Sequence, residues 1–133
     1  MTNAMSAELY WLAWTTVFTG LLWLPYILQI IRKIGVNTAL SETGGVEPHH
    51  SWSVRAKKAH ANAVENLMIF APLALAVHIL EAGSAATALS SGAYFAFRVA
   101  HAFVYTLGVP YLRTLAFAGG VVCQGVLALA VLG

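Results

Sequence analysis

The chain has 133 residues, 59% of them hydrophobic and only 9% charged, with a formal net charge of +2 and a mean hydropathy of +0.75. A water-soluble domain typically carries about 25% charged residues, so this composition excludes an ordinary soluble globule. The basic residues are too few and too local for a nucleic-acid footprint. Spanning a bilayer takes roughly 20 mostly apolar residues per helix, leaving room for about four such helices and one substantial loop. The expected fold class is all-α: an integral membrane four-helix bundle with residues 1–133 forming one domain.

The first helix is expected over about residues 9–31. No charge stands between Glu8 and Arg32. Tyr10, Trp11 and Trp14 gather near one end, with Trp23 and Tyr26 toward the other, as interfacial aromatics do in a spanning segment. Pro25 predicts a kink, which membrane helices tolerate. With no Lys or Arg before Arg32, the run reads as a retained helix rather than a cleavable signal.

Residues 33–54 form the longest loop. Gly44, Gly45 and Pro48 break regular structure there, and Ser51 or Ser53 is expected to cap the next helix. His49 and His50 are adjacent, so they share no helix face. With no Cys or carboxylate at ligand spacing, no metal is expected. The second helix is expected over about 54–80, with Pro72 in its middle, and the turn after it has no Lys or Arg. The third, about 85–109, carries Arg98 and His101. The fourth, about 112–132, follows Pro110 and is charged only at Arg113. The single Cys123 lies in an apolar stretch, so no internal disulfide is possible.

Five of the seven Lys and Arg residues (Arg32, Lys33, Arg55, Lys57 and Lys58) flank loop 33–54. The positive-inside rule puts that loop in the cytoplasm and both termini outside. The short chain and loops fit a bacterial inner membrane.

Ionisable residues inside membrane helices are costly and usually face an interior where they act. At 100° per residue, Arg55, Lys58, Asn62 and Glu65 fall within about an 80° arc of helix 2, and His60 points elsewhere. Arg98, His101 and Tyr105 share a face of helix 3. At ~1.5 Å per residue, Glu65 lies roughly 10 Å from the basic end of its helix, and Arg98 and His101 roughly 16 and 12 Å from the same end of theirs. These depths nearly match, so Glu65 is expected to pair with Arg98 or His101, within one chain or between subunits. One buried ion pair could simply fix helix register. The further convergence of Lys58, Asn62, His101, Tyr105 and Arg113 predicts a pocket for an anionic ligand, since arginine binds carboxylates through a planar fork. The apolar surroundings would suit a lipophilic second substrate.

Residues 55–66, RAKKAHANAVEN, followed by Phe70 and Pro72, resemble the helix 2 signature of the MAPEG superfamily, the membrane-associated proteins in eicosanoid and glutathione metabolism. Arg98-Val-Ala-His101-Ala-Phe-Val-Tyr105 is similar to that family's helix 3 signature, and Pro110 to Phe117, with Arg113-Thr114, to its helix 4 opening. The resemblance implies a homotrimer with active sites between subunits, near the cytoplasmic side. It implies that Lys58, Asn62, Glu65, Arg98, His101, Tyr105 and Thr114 line a glutathione pocket, to which Gln29 and Arg32 contribute. Arg113 corresponds to the arginine that stabilises the glutathione thiolate. The implied activity is a membrane glutathione transferase or peroxidase acting on lipophilic electrophiles, a detoxification role.

Ala61 stands where many glutathione-using members carry a basic residue, and Lys58 where an arginine is common. A second reading therefore stays open: a lipid-binding or scaffold protein of the same fold without glutathione chemistry. A small four-helix exporter would place its essential carboxylate in the first helix, which here has no acid after Glu8.

Overall fold

The first apolar run folds as two helices, α1 (Ala7–Leu21) and α2 (Trp23–Ile34), parted at Leu22. Pro25 is the cause. Its nitrogen carries no hydrogen, so the Leu21 carbonyl four residues back loses its intrahelical donor. The chain tightens there, and the Leu22 N–H donates to the Thr19 carbonyl at 3.3 Å. The computed structural model describes residues 4–42 and 47–133. Gly44 and Gly45, expected to break the long loop, lie outside them. Part of that loop is regular: α3 (Val36–Ser41) is a short helix directly after Gly35.

The second long helix, α4 (Ser51–Ile79), begins earlier than expected and runs unbroken through Pro72. Its cap position is His50, not Ser51 or Ser53. Ser53 lies inside the first turn, where its hydroxyl is 2.9 Å from Gln29 Oε1 on α2 and 2.8 Å from the His50 carbonyl. Next, α5 (Ala85–Leu107) opens with a capping box in which Ser84 and Thr87 satisfy each other's backbone N–H. It closes at Gly108, whose φ of +79° favours a residue without Cβ. The Val109 N–H reaches back to the Val104 carbonyl at 2.9 Å. Arg55 Nε donates to the Thr106 carbonyl at 3.0 Å, so this α4 cation completes the end of α5. Pro110 then starts α6 (Pro110–Leu132), where a missing N–H costs nothing.

These contacts set an alternating arrangement. The starts of α1 and α5 meet the end of α4 through Ser6, Glu8, His78 and Thr87. The ends of α2 and α5 meet the start of α4 through Gln29 and Arg55. The main core joins Phe70, Ala74 and Val77 of α4 to Tyr94 of α5 and Cys123 and Leu127 of α6. Phe70 and Tyr94 stack with ring centroids 3.9 Å apart. A smaller core joins Tyr26, Ile30 and Ala56.

The contact between α5 and α6 depends on Gly119, where a Cβ would sit 2.5 Å from the Phe97 ring. Gly119→Ala is therefore expected to lower the thermal midpoint of the detergent-solubilised protein, by about 1–3 kcal/mol of overpacking. Gly125→Ala is the control, because nothing lies within 4 Å of a Cβ there. It is expected to be neutral or stabilising through helix propensity.

The distribution of polarity is the reverse of a water-soluble protein's. Thr15, Thr19, Asn66, Ser91, Arg98, His101 and Gln124 are buried. Met68 (72% exposed), Val122 (66%) and Leu129 (73%) face outward. Among the described residues three segments are long and apolar enough to cross a membrane: Ala7–Ile34, Ser51–Ile79 and Pro110–Leu132. The sequence pattern predicted four. At 23 residues α5 is ~35 Å long, but Ser90, Ser91, Gly92, Arg98 and His101 dilute its hydropathy. It packs against α1, α4 and α6.

Candidate binding site on α4 and α5

Three helices contribute to one polar chain. Arg98 of α5 is 2% exposed, and its Nη1 donates to Asn62 Oδ1 of α4 at 3.0 Å. The same Oδ1 accepts from Asn66 Nδ2 at 3.2 Å, and that amide nitrogen also reaches the Asn62 carbonyl at 2.9 Å. Gln124 of α6 donates to the Asn66 carbonyl at 3.2 Å. Arg98 Nε and Nη2 and the Tyr94 hydroxyl beside them make no hydrogen bond of good geometry among the described residues, although the phenol lies within reach of the guanidinium. A guanidinium carries five N–H donors, so an interior arginine with one answered nitrogen is an incomplete site.

Around this chain the expected residues separate. His101 is buried, its ring 5.4 Å from that of Tyr105. Arg113, exposed at the start of α6, lies over the Tyr105 ring with Cζ 4.8 Å from the centroid. Lys58, Glu65 and Thr114 are exposed. Glu65 forms no ion pair among the described residues, so its expected pairing with Arg98 or His101 is not made within one chain. Asn62 holds the position facing Arg98, and Glu65 projects about 60° further round the helix. Among the described residues the ion pair that does form is Lys57 Nζ with Glu47 Oε1, at 2.8 Å on the surface.

Gln29 and Arg32 stand apart from this cluster. Gln29 is buried, its Oε1 accepting from the His49 N–H at 3.1 Å and from Ser53. That ties α2 and the loop to α4. Arg32 borders a groove of about 530 Å³ with Leu28, Lys33, His50 and Trp52, and none of Lys58, Asn62, Glu65, Arg98 or His101 lines it. Among the described residues no three His, Cys, Asp or Glu side chains converge to hold a metal.

Two contributions escaped the sequence pattern. Asn66 and Gln124 extend the polar chain; Asn66 follows Asn62 at helical i+4 spacing, a signal present in the motif. His60, set aside as off the stripe, does point away from it, and its Nδ1 meets the Tyr26 hydroxyl at 2.7 Å. This pins α2, already loosened at Leu22, against α4. Tyr26→Phe is expected to lower stability by about 1 kcal/mol, the usual net worth of one hydrogen bond. Thermal unfolding in detergent measures it, and a His60→Ala, Tyr26→Phe pair gives the coupling between the two groups.

Helices of membrane length, apolar outer surfaces and a polar chain turned inward define an integral membrane protein. The model of the MAPEG family matches residues 9–133, and the chain belongs to that family of membrane proteins related to glutathione and eicosanoid metabolism. No curated protein and no solved structure matches it.

Proposed function

We propose that the protein is a membrane-bound glutathione transferase, with peroxidase activity on lipid hydroperoxides as a side reaction. It works as a homotrimer of four-span subunits in which α5 also crosses the membrane, as the third span in chain order. The observation that carries this reading is the incomplete polar site. Arg98 is held in the interior with Nε and Nη2 unanswered, while Lys58, Glu65, Arg113 and Thr114 stand uncovered at the surface of the single chain. A site of this kind calls for a polar ligand and a second subunit.

Glutathione suits the donor set. Its two carboxylates match Lys58 and Arg98, and its ammonium matches Glu65. Asn62, His101 and Tyr105 offer further hydrogen bonds, and Thr114 sits beside Arg113 at the thiol. A thiol titrates near pH 8.5, and the thiolate is the nucleophile. A guanidinium beside it favours the charged form. In this mechanism Arg113 holds the thiolate and the thiol proton passes to solvent. The sulfur attacks an electrophilic carbon of a bilayer-dissolved substrate. A C–S bond forms, and the leaving group departs with its electron pair. Gln29 and Arg32 belong to this site only if the neighbouring subunit brings their groove to it. The clustering of Lys and Arg supports an orientation with loop 33–54 on the cytoplasmic side of a bacterial inner membrane, in a detoxifying role.

Detergent-purified protein mixed with glutathione is expected to develop thiolate absorbance, and then to consume it when a chlorinated aromatic electrophile is added. No binding at millimolar glutathione would overturn the reading. One observation favours the alternative, a lipid-binding or scaffold protein. Ala61, exposed beside Asn62, adds no cation where a carboxylate ligand would gain one.

A further inference from the structure

The end of the molecule far from Arg32 and Lys58 carries charge that glutathione chemistry does not use. Glu8 lies in the first turn of α1 and is 3% exposed. Its Oε1 accepts a hydrogen bond from the Thr87 hydroxyl of α5. That hydroxyl has one proton, and the Ser84 carbonyl also competes for it at 3.0 Å. Glu8 Oε2 has no donor and the side chain no ion-pair partner among the described residues. The α1 N-terminus offers a partial positive charge, yet the Leu9 N–H there is already taken by Ser6 Oγ at 3.3 Å. A carboxylate has about four acceptor sites. This one has a single shared donor among the described residues, on Oε1, and its side chain borders an open cavity from which a further donor can approach.

The carboxylate borders a cavity of about 770 Å³. Met5, Leu9, Val77 and Ile79 form its apolar wall, and Glu81 and His78 add polar groups. The His78 ring is committed to Ser6, Nδ1 to Oγ at 3.0 Å. No Lys or Arg lines the cavity, and the sequence has none before Arg32 or between Lys58 and Arg98. Gly83 lies against the carboxylate: a Cβ there would stand in contact, 3.4 Å from Oε1 and 3.6 Å from Oε2 of Glu8, so a branched side chain would crowd both oxygens. The cavity thus joins a buried, under-partnered anion and a second carboxylate to an apolar wall at the end of membrane-length helices.

We infer that this cavity binds a lipophilic amine, its ammonium head on Glu8 Oε2 with Glu81 alongside, and its alkyl body along Met5, Leu9, Val77 and Ile79. The ammonium supplies the donors and the charge that Oε2 lacks, and the apolar wall selects an amphiphile over a small hydrated cation. The primary ammonium could come from a free alkylamine or from an ethanolamine lipid head.

The test is calorimetric titration of the detergent-solubilised full chain with octylamine at pH 7, with octanol as the uncharged match. Octylamine is expected to bind and octanol not. Glu8→Gln and Gly83→Val are each expected to weaken binding roughly 10- to 100-fold, the loss that goes with a hydrogen bond to a charged group. Glu42→Gln, at an exposed acid elsewhere, is expected to change nothing. Gly83→Val keeps the carboxylate itself, so it decides the matter if Glu8→Gln fails to fold. Octylamine weakened in nanodiscs by ethanolamine phospholipid supports the site with a lipid head as occupant; undiminished binding supports it with a free amine. Equal binding of octanol, or wild-type affinity in a folded Glu8→Gln or Gly83→Val protein, overturns the inference.

Discussion

Arg98→Met is expected to leave the protein folded and at least as thermally stable, yet to weaken glutathione binding severely. The two halves of this result have different causes. Arg98 is a buried cation with one hydrogen bond, to Asn62 Oδ1, and with Nε and Nη2 unanswered. Desolvation of such a charge commonly exceeds what its partners return, and replacing buried charged groups by apolar residues of similar volume is often neutral or stabilising by about 1–4 kcal/mol. Methionine follows the same path into the core and fills irregular space. Asn62 Oδ1 is not orphaned, because Asn66 Nδ2 remains 3.2 Å away. Binding is another matter. A guanidinium holding a ligand carboxylate contributes about 1.5–3 kcal/mol through a charged hydrogen bond, so affinity is expected to fall by roughly 10- to 100-fold or more. Arg98→Lys keeps the charge but not the planar fork, and should recover only part of it. Thermal unfolding and a thiolate-absorbance titration of each variant read the two halves separately. A large drop in the melting midpoint of Arg98→Met would show that the guanidinium is a structural pin and would remove the main support for the binding reading.

The membrane character of the chain was legible because it rests on composition and on runs of apolar residues, which need no tertiary information. So was the azimuth of the motif on α4. Asn62 faces α5, His60 faces α2, and Lys58 and Glu65 point out of the single chain, as 100° per residue requires. The expected Glu65 pairing is not made within one chain because Asn62, about 60° round the helix from Glu65, holds the position facing Arg98. Two residues can sit at one height and still face different neighbours. Pro25 identified a kink, but a proline acts on the carbonyl four residues back, so the break lies at Leu22. Ser53 looked like a helix cap because serine suits that position. It binds Gln29 instead, a partner 24 residues away that only the packing of α2 on α4 brings near. Gln29 itself matched the expected ligand chemistry, yet its oxygen is committed within the chain. Glu8 drew no attention, since one acid at a helix start is ordinary. Its consequence appears only when α5 closes over it.

Arg113→Ala is expected to reduce turnover by about 10²- to 10³-fold, the usual loss on removing one group that stabilises a developing or resident anion in an active site. The fold should be almost unmoved. Arg113 is exposed, and its one aromatic contact is the Tyr105 ring at 4.8 Å. An exposed cation–π contact of this kind is worth only about 0.5–1 kcal/mol. The pH profile separates a thiolate role from a mere positioning one. A guanidinium beside the sulfur favours the thiolate and lowers the thiol's titration point; its removal returns that point toward the free value near 8.5. The rate at pH 7 therefore falls, and part of it returns as the pH is raised through 8 and the thiol ionises unaided. Arg113→Lys keeps a point charge and should keep much of the thiolate absorbance. If Arg113 only oriented glutathione through a carboxylate, the alanine variant would lose affinity with no alkaline displacement of the profile, and the thiolate would have to owe its stability to another group, with Tyr105 and Thr114 the nearest in sequence and chemistry.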